Sequence, residues 1–274
     1  MKSLTSIFAV FKKELKIALR YPSWFMQLII WPVALPFGYI FTARALSGKD
    51  ASSLNQFQSM TNTTDYITFI LIGTTIWMLV NSMLWSFGSR LRVEQIRGTL
   101  ESNWLCPVPK INIQIGHALF DLVTNLIFVI VSLIEFKIFF NFNFAGSPLL
   151  AFLVLILSIP SIYGIGFIFS SLVIWAKEIN SMVFLVRGII SIFCGITYPL
   201  TVLPNWMKSI SKIIPMTHTI NALRSVIAAG ANLHDISYEI KFLILSGIIL
   251  MILGILSFSY TQNKAKATGS LGHY

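Results

Sequence analysis

The stretch PLLAFLVLILSIPSIYGIGFIFSSLVIW, residues 148–175, carries no charged side chain along its whole length. A helix of about 20 such residues crosses a hydrocarbon core about 30 Å thick. Strands of a membrane barrel would alternate apolar and polar residues, which this stretch does not. A helix also bonds all of its own backbone groups, as lipid requires. The stretch therefore predicts a membrane-spanning helix, and its Gly164 and Gly166 predict close packing against another helix.

Five other apolar segments predict the same structure and lie on both sides of this one. Of the 274 residues, 55% are hydrophobic and 11% are charged, which is too apolar for a soluble domain of this length. We therefore predict an all-α integral membrane protein with six transmembrane helices. The candidate spans lie at roughly 24–45, 66–89, 115–140, 148–175, 181–199 and 240–260.

The basic residues are dispersed between the spans rather than gathered into a nucleic-acid-binding module, although the formal net charge is +10. They are concentrated before the first span, between the second and third spans, and after the last span. The positive-inside rule then places both termini in the cytoplasm. We expect a multi-pass protein of the cytoplasmic membrane. The residues concerned include Lys12, Lys13, Lys16, Arg20, Arg90, Arg92, Arg97, Lys110, Lys264 and Lys266.

Residues 1–22 predict an amphipathic helix at the cytoplasmic surface of the membrane. Apolar residues recur there at helical spacing, while lysines and an arginine occupy another face. Tyr21-Pro22 ends this helix because the residue before proline is disfavoured in helical conformation. Residues 23–274 then form the transmembrane domain. The apolar stripe consists of Leu4, Phe8, Phe11, Leu15 and Leu19.

The passage RVEQIRGTLESNWLCPVPK, residues 92–110, is unusually polar for a connection between two spans. Arg90, Glu94, Arg97 and Glu101 are spaced four, three and four residues apart, so they share one face of a helix. The prolines at 107 and 109 end it. The pattern predicts a short cytoplasmic helix at about 92–105. Its physical chemistry fits equally a helix resting on lipid headgroups and one that docks on a partner.

The passage TYPLTVLPNWMKSISKIIPMTHTINALR, residues 197–224, is divided by Pro199, Pro204 and Pro215. The two resulting segments, of about ten and thirteen residues, are too short to cross a bilayer. We predict an external re-entrant helical hairpin at about 200–232. Irregular backbone at membrane depth must be covered by protein or by a watery cavity, so the hairpin is expected to cap a translocation route.

The sequence contains no phosphate-binding loop, no zinc-binding motif and no cluster of cysteine and histidine residues. It therefore predicts no catalytic residue, no metal site and no cofactor bound by this chain. Energy for uphill transport would have to come from a partner or from an ion gradient. Arg187, within the fifth span, is the candidate pathway residue; it either pairs with Asp121 or faces a cavity.

Two of these passages resemble the membrane subunits of type 2 ABC exporters, the permeases of drug, lipid and polysaccharide exporters. EQIRGTLESNWLCPVP, residues 94–109, is similar to the family's cytoplasmic motif between the second and third spans. YPLTVLPNWMKSISKIIPMTHTINALR, residues 198–224, is similar to its motif before the last span. The basic N-terminal helix and the number of spans also match, so the resemblance covers essentially the whole chain.

The resemblance implies a complex in which this subunit pairs with a second copy or a related permease. It also implies two ABC ATPase subunits on the cytoplasmic side, which bind the ATP and Mg. Glu94 to Leu105 would be the coupling helix, and the N-terminal helix would help to form that contact. The residues expected to couple to the ATPase are Glu94, Arg97, Gly98, Thr99, Leu100 and Glu101. Those expected in the external gate hairpin are Pro199, Pro204, Trp206, Pro215 and Arg224.

The entry to the first span bears on the cargo. ALRYPSWFMQLIIWP, residues 18–32, departs from the basic signature of the polysaccharide exporters and fits the drug and lipid branch better. We expect export of a hydrophobic or amphipathic compound, with a lipid-linked polysaccharide as the alternative. An ion-coupled secondary transporter would show inverted repeats and an acidic site at the midplane, and a membrane-embedded enzyme would show convergent histidines or carboxylates. Neither pattern is clear in the sequence.

Overall fold

The structure, a computed structural model, describes residues 2–46, 66–96, 108–176 and 178–267. Within those ranges the regular elements are helices. A 3-10 turn at Leu200–Val202 precedes the seventh α-helix. The α-helices are α1 (Lys2–Arg20), α2 (Ser23–Leu46), α3 (Tyr66–Ile96), α4 (Lys110–Phe140), α5 (Pro148–Ala176), α6 (Asn180–Phe193), α7 (Asn205–Ser211), α8 (Pro215–Ala229) and α9 (Ser237–Ala267).

The helices α2, α3, α4, α5 and α9 are long and apolar enough to cross a membrane. They confirm the prediction of an all-α, multi-pass membrane protein. The remaining predicted span, at 181–199, corresponds to the shorter helix α6, of 14 residues. At 1.5 Å per residue α6 rises about 21 Å, less than the thickness of a hydrocarbon core. The prediction of a full spanning helix through residue 199 was wrong in its length.

The early end of α6 has a local cause in the backbone. Gly195 adopts a left-handed conformation with φ of 62°, which stops a right-handed helix. Pro199 follows and precedes the 3-10 turn, so the chain does not resume its former direction. The apolar character of residues 194–199 therefore belongs to a buried turn, with Cys194 and Ile196 fully enclosed.

The centre of the bundle is formed by α3 and α5. Of their most apolar stretches, 61% and 50% of residues are buried within the protein, against 17% for α2. The side chains of α2 are largely left to face lipid or another subunit. Among the described helices, α3 and α5 thus form a packed core, and α2 lies at its edge.

Glycines bring α5 and α9 into backbone contact. A Cβ atom on Gly164 would lie 2.5 Å from the carbonyl carbon of Leu250, and one on Gly254 would lie 2.5 Å from the carbonyl oxygen of Gly164. A Cβ on Gly166 would lie 2.7 Å from the sulfur of Met83 on α3. The prediction that Gly164 and Gly166 serve close helix packing is confirmed.

The N-terminal helix α1 has three faces rather than two. One face packs on α4, where a Cβ on Gly116 would lie 2.7 Å from the Cβ of Val10. A second face carries the exposed Lys12 and Lys16. Most of the predicted apolar stripe forms the third face and points away from the protein: Leu4, Phe8, Leu15 and Leu19 are exposed. A helix fixed to the bundle that still exposes an apolar stripe beside lysines suits a membrane surface.

Glycine-to-alanine substitutions inside and outside the contact between α5 and α9 should have opposite effects on stability. Gly164→Ala should destabilise the protein by about 1–3 kcal/mol, because the new methyl group overlaps the backbone of α9. Gly38→Ala has open space around it and should be neutral or stabilising, because alanine favours helix more than glycine does.

Reaction of the buried Cys194 thiol with a maleimide dye during heating measures this difference, in a background where Cys106 is replaced by serine. Gly164→Ala should lower the temperature of half-reaction relative to Gly38→Ala. Equal temperatures for the two variants would show that the helices can separate without cost.

Candidate functional site

The predicted coupling segment begins on the helix of the second span. The helix α3 continues to Ile96, beyond the predicted end of the span at residue 89. The backbone at Glu94 is therefore helical and continuous with the membrane helix. The other coupling candidates, Arg97, Gly98, Thr99, Leu100 and Glu101, lie outside the described residues.

Within the segment predicted at 200–232 as an external re-entrant hairpin, the chain forms the 3-10 turn, α7 and α8. These helices have 7 and 15 residues, so the first is shorter and the second longer than predicted. Pro204 is the N-cap of α7, and Pro215 is the first residue of α8, a position at which proline is well tolerated. Trp206 is 63% exposed and meets the ring of Phe193 edge to face.

Arg224 joins three parts of the chain. Its Nη1 donates to the carbonyl oxygen of Gly195 at 2.9 Å, and its Nη2 donates to those of Ile196 at 2.9 Å and Phe69 at 3.1 Å. The guanidinium also lies over the Phe69 ring. Only 8% of the residue is exposed, and this burial lowers the pKa of the guanidinium, although arginine retains its proton in proteins. Arg224, predicted as a gate residue, thus binds the turn after α6 to the first turn of α3.

Two further contacts fix α8 in place. A Cβ on Gly73 of α3 would overlap the carbonyl oxygen of Ile196, so only glycine allows the turn to approach α3 this closely. Near the C-terminal end of α8, the amide of Ala145 donates to the carbonyl oxygen of Ile227 at 2.9 Å. The second helix of the hairpin is therefore fastened to the core rather than laid over it.

A cavity of about 670 Å³ lies between α1, α2, α3, α4 and α6. Its wall is amphipathic, since tryptophans and other apolar side chains alternate there with amides and two charged groups. The aromatic part of the wall includes Tyr21, Trp24, Trp31, Trp77, Trp85 and Phe120. The polar part includes Glu14, Gln27, Asn81, Ser82, Asn125 and Arg187.

Arg187 reaches this cavity from α6. Its guanidinium carbon lies 4.6 Å from the centre of the Trp77 ring and 5.5 Å from that of Phe184. Asp121 instead accepts a hydrogen bond from the Ser86 hydroxyl, and among the described residues no ion pair joins it to Arg187. Of the two alternatives for Arg187, the structure supports the one in which it faces a cavity.

The other charged group of the cavity is Glu14, a residue of α1. Its Oε1 is 3.5 Å from Nδ1 of His117 and 3.5 Å from Nζ of Lys13. Glu14 and His117 are both buried where α1 packs on α4. The carboxylate is therefore balanced by neighbouring basic groups, while Arg187 is accompanied by aromatic rings.

The sequence indicated Arg187 but not the residues around it. Trp77, Asn81, Trp85 and Asn125 were not singled out, because apolar spans give no period that separates cavity-facing positions from core positions. Two signals were available. Amide side chains are costly in lipid and therefore mark protein-facing positions. Trp77 lies near the middle of the predicted span at 66–89, whereas tryptophan is usual near the ends of a span.

Comparison with known proteins agrees with this architecture. The model of the family described as ABC-2 type transporter matches residues 5–228. The Dictyostelium discoideum protein "ABC transporter G family member 20" is 26% identical over 175 residues, which cover 63% of this chain and 24% of that protein. The match thus spans about a quarter of the relative's length. Because the family model covers most of the chain, this multi-pass membrane protein belongs to the ABC-2 type transporter family.

Proposed function

We propose that the chain is the permease subunit of an ATP-driven exporter that moves a hydrophobic or amphipathic compound, a drug or a lipid, out across the cytoplasmic membrane. The observation that carries the proposal is the amphipathic cavity of about 670 Å³ inside a chain of the ABC-2 family. A volume of this size suits a drug-sized molecule. A lipid-linked polysaccharide moved by the same machinery is the alternative cargo.

In this proposal two such permeases, identical or related, assemble with two ABC ATPase subunits supplied by other polypeptides. Both termini lie in the cytoplasm, and ATP and Mg bind to the ATPases. The packing of α1 near the start of α4 supports this arrangement, because α4 is the helix that follows the predicted coupling segment in the chain. A docking surface for the ATPase would be formed by the coupling segment, with α1 beside it.

The continuous helix α3 provides a route for force across the membrane. Its last turn contains Glu94, at the start of the coupling segment, and its first turn contains Phe69, whose carbonyl is held by Arg224. A displacement of the coupling segment would therefore move α3 together with α5 and α8, which pack against it. In this account α3, α5, α8 and α9 form one rigid core.

The cavity would respond because two of its walls lie outside that core. The helix α2 is mostly unburied, and α6 is short and exposes Phe184, Leu185, Ile189 and Ile192. Motion of the core against α2 would change the width of the cavity beside Arg187. The hairpin, with Pro199, Pro204, Trp206 and Pro215, would close the external end until the core moves.

The coupling assignment predicts a specific loss of partner binding. Glu94→Arg and Glu101→Arg should each weaken association with the cognate ATPase by at least about tenfold, because a reversed charge meets the surface that the native carboxylate recognises. Insertion into the membrane should be unchanged. Co-purification from detergent and stimulation of ATP hydrolysis measure the effect.

Glu239→Arg is the matched control, since it reverses the same charge at the start of α9, on the predicted external side. Coupling at 94–105 is wrong if all three variants bind the ATPase equally. Transport by the purified permease without any ATPase or ATP would instead establish ion-coupled transport.

The contacts of Arg224 predict uncoupling. Arg224→Lys keeps the charge but loses the planar fork that reaches three carbonyls. We expect it to assemble with the ATPase and hydrolyse ATP, while transport per ATP falls by about tenfold, the factor equivalent to one lost charge-assisted hydrogen bond. Parallel assays of hydrolysis and efflux in proteoliposomes measure this ratio. A proportional fall in both activities would indicate loss of folded protein instead.

A further inference from the structure

We propose that the cavity between α1, α2, α3, α4 and α6 selects amphiphiles with a negatively charged group, and that Arg187 holds that group. The identification of the amphiphile as cargo rests on the proposed function. The binding itself does not, because it requires only the permease chain.

The guanidinium of Arg187 has hydrogen-bond donors available to a ligand. A guanidinium has five N–H donors, and no described residue accepts a hydrogen bond from Arg187. The rings of Trp77 and Phe184 compensate part of the cost of holding a cation within the membrane, but they leave the donors available. A carboxylate, phosphate or sulfate would accept from two of these donors at once.

The rest of the described cavity wall does not provide an ion-pair partner for Arg187. Glu14 is the other charged residue that lines it, and Glu14 contacts Lys13 and His117. The two charged side chains also come from different helices of the wall, Glu14 from α1 and Arg187 from α6. Among the described residues that line the cavity, Arg187 is therefore the charged side chain without an ion-pair partner, and its charge attracts anions and repels cations.

Arg187 lies well inside α6 rather than at its start. It lies seven residues beyond the start of α6, which corresponds to about 10 Å along the helix axis. Tyr21 and Trp24 line the same cavity at the junction of α1 and α2, by the predicted cytoplasmic surface. A ligand that enters beside them can therefore place its charged group on Arg187 only after passing below the headgroup level.

The remaining cavity wall combines aromatic rings with amide side chains. Trp31, Trp77 and Trp85 offer flat indole surfaces to an apolar body, and Asn81 and Asn125 add amides to the same wall. Pockets of this size that combine many apolar contacts with a few placed polar groups typically orient amphipathic ligands. The chemistry recognised is thus one anionic group attached to an apolar chain or ring system.

The test uses the full-length chain in phosphatidylcholine nanodiscs and three probes that share a dodecyl chain. Dodecyl phosphate is anionic, dodecyltrimethylammonium is cationic and dodecyl maltoside is neutral. Saturable change of tryptophan fluorescence, corrected with empty nanodiscs, reports binding because several tryptophans line the cavity. Dodecyl phosphate should bind most tightly. Arg187→Gln should weaken its binding by roughly tenfold to a hundredfold, and Arg187→Lys by less.

Lys137→Gln is the matched control, since it removes one positive charge from an exposed position on α4 outside the cavity, and it should leave binding unchanged. Competition by phosphatidylglycerol in the nanodisc would identify a membrane lipid as the source of the anion. Lack of competition would identify a water-borne amphiphile. Equal affinity for the three probes, or an Arg187→Gln variant that binds dodecyl phosphate as the unmodified protein does, would overturn the proposal. Neither result depends on the ATPase, so a failure here is distinguishable from failure of the proposed function.

Discussion

The bonds from Arg224 to the carbonyls of Phe69, Gly195 and Ile196 are the constraint on which the rest of the arrangement depends. Backbone that leaves helical geometry at membrane depth needs polar partners from the protein. The turn after α6 leaves helical geometry in a segment predicted to be re-entrant, and one buried guanidinium supplies donors to two of its carbonyls. The same side chain reaches α3, so satisfying the turn also fixes α8 to the core. Glycine at position 73 makes that approach sterically feasible.

This constraint divides the molecule into a tightly packed core and less enclosed helices beside it. The central helices are locked by contacts that tolerate little displacement: Gly73 against the turn, Gly164 and Gly254 between α5 and α9, and Gly166 against α3. The helices α2 and α6 lack comparable enclosure, and the large cavity opens between them and the core. A rigid part beside a less enclosed part gives the proposed exporter a place to change shape, since densely packed cores move as units.

Hydropathy was sufficient to predict the spans, because desolvation of a helix leaves a continuous apolar signal such as that of residues 148–175. Hydropathy extended the fifth span too far, to residue 199, because a buried turn is as apolar as a span. The left-handed backbone conformation of Gly195 leaves no mark in the amino-acid composition. The resemblance indicated Arg224 as a gate residue. Its bonds to backbone carbonyls could not be predicted, because carbonyls carry no residue identity. Likewise, Arg187 was recognisable as a charge in a span, but its neighbours Trp77 and Asn81 come from a helix distant in sequence.

The central claim, that ATP moves α3, α5, α8 and α9 as one body past α2, is tested most directly by distances between pairs of spin labels in the assembled transporter. Labels at Trp175 and Leu233, both exposed, report across the core from the end of α5 to the segment after α8. Labels at Leu233 and Phe41 report between the core and α2. We predict that trapping the ATPases with ATP changes the second distance and leaves the first unchanged. A change in the first distance, or no change in either, would contradict the account.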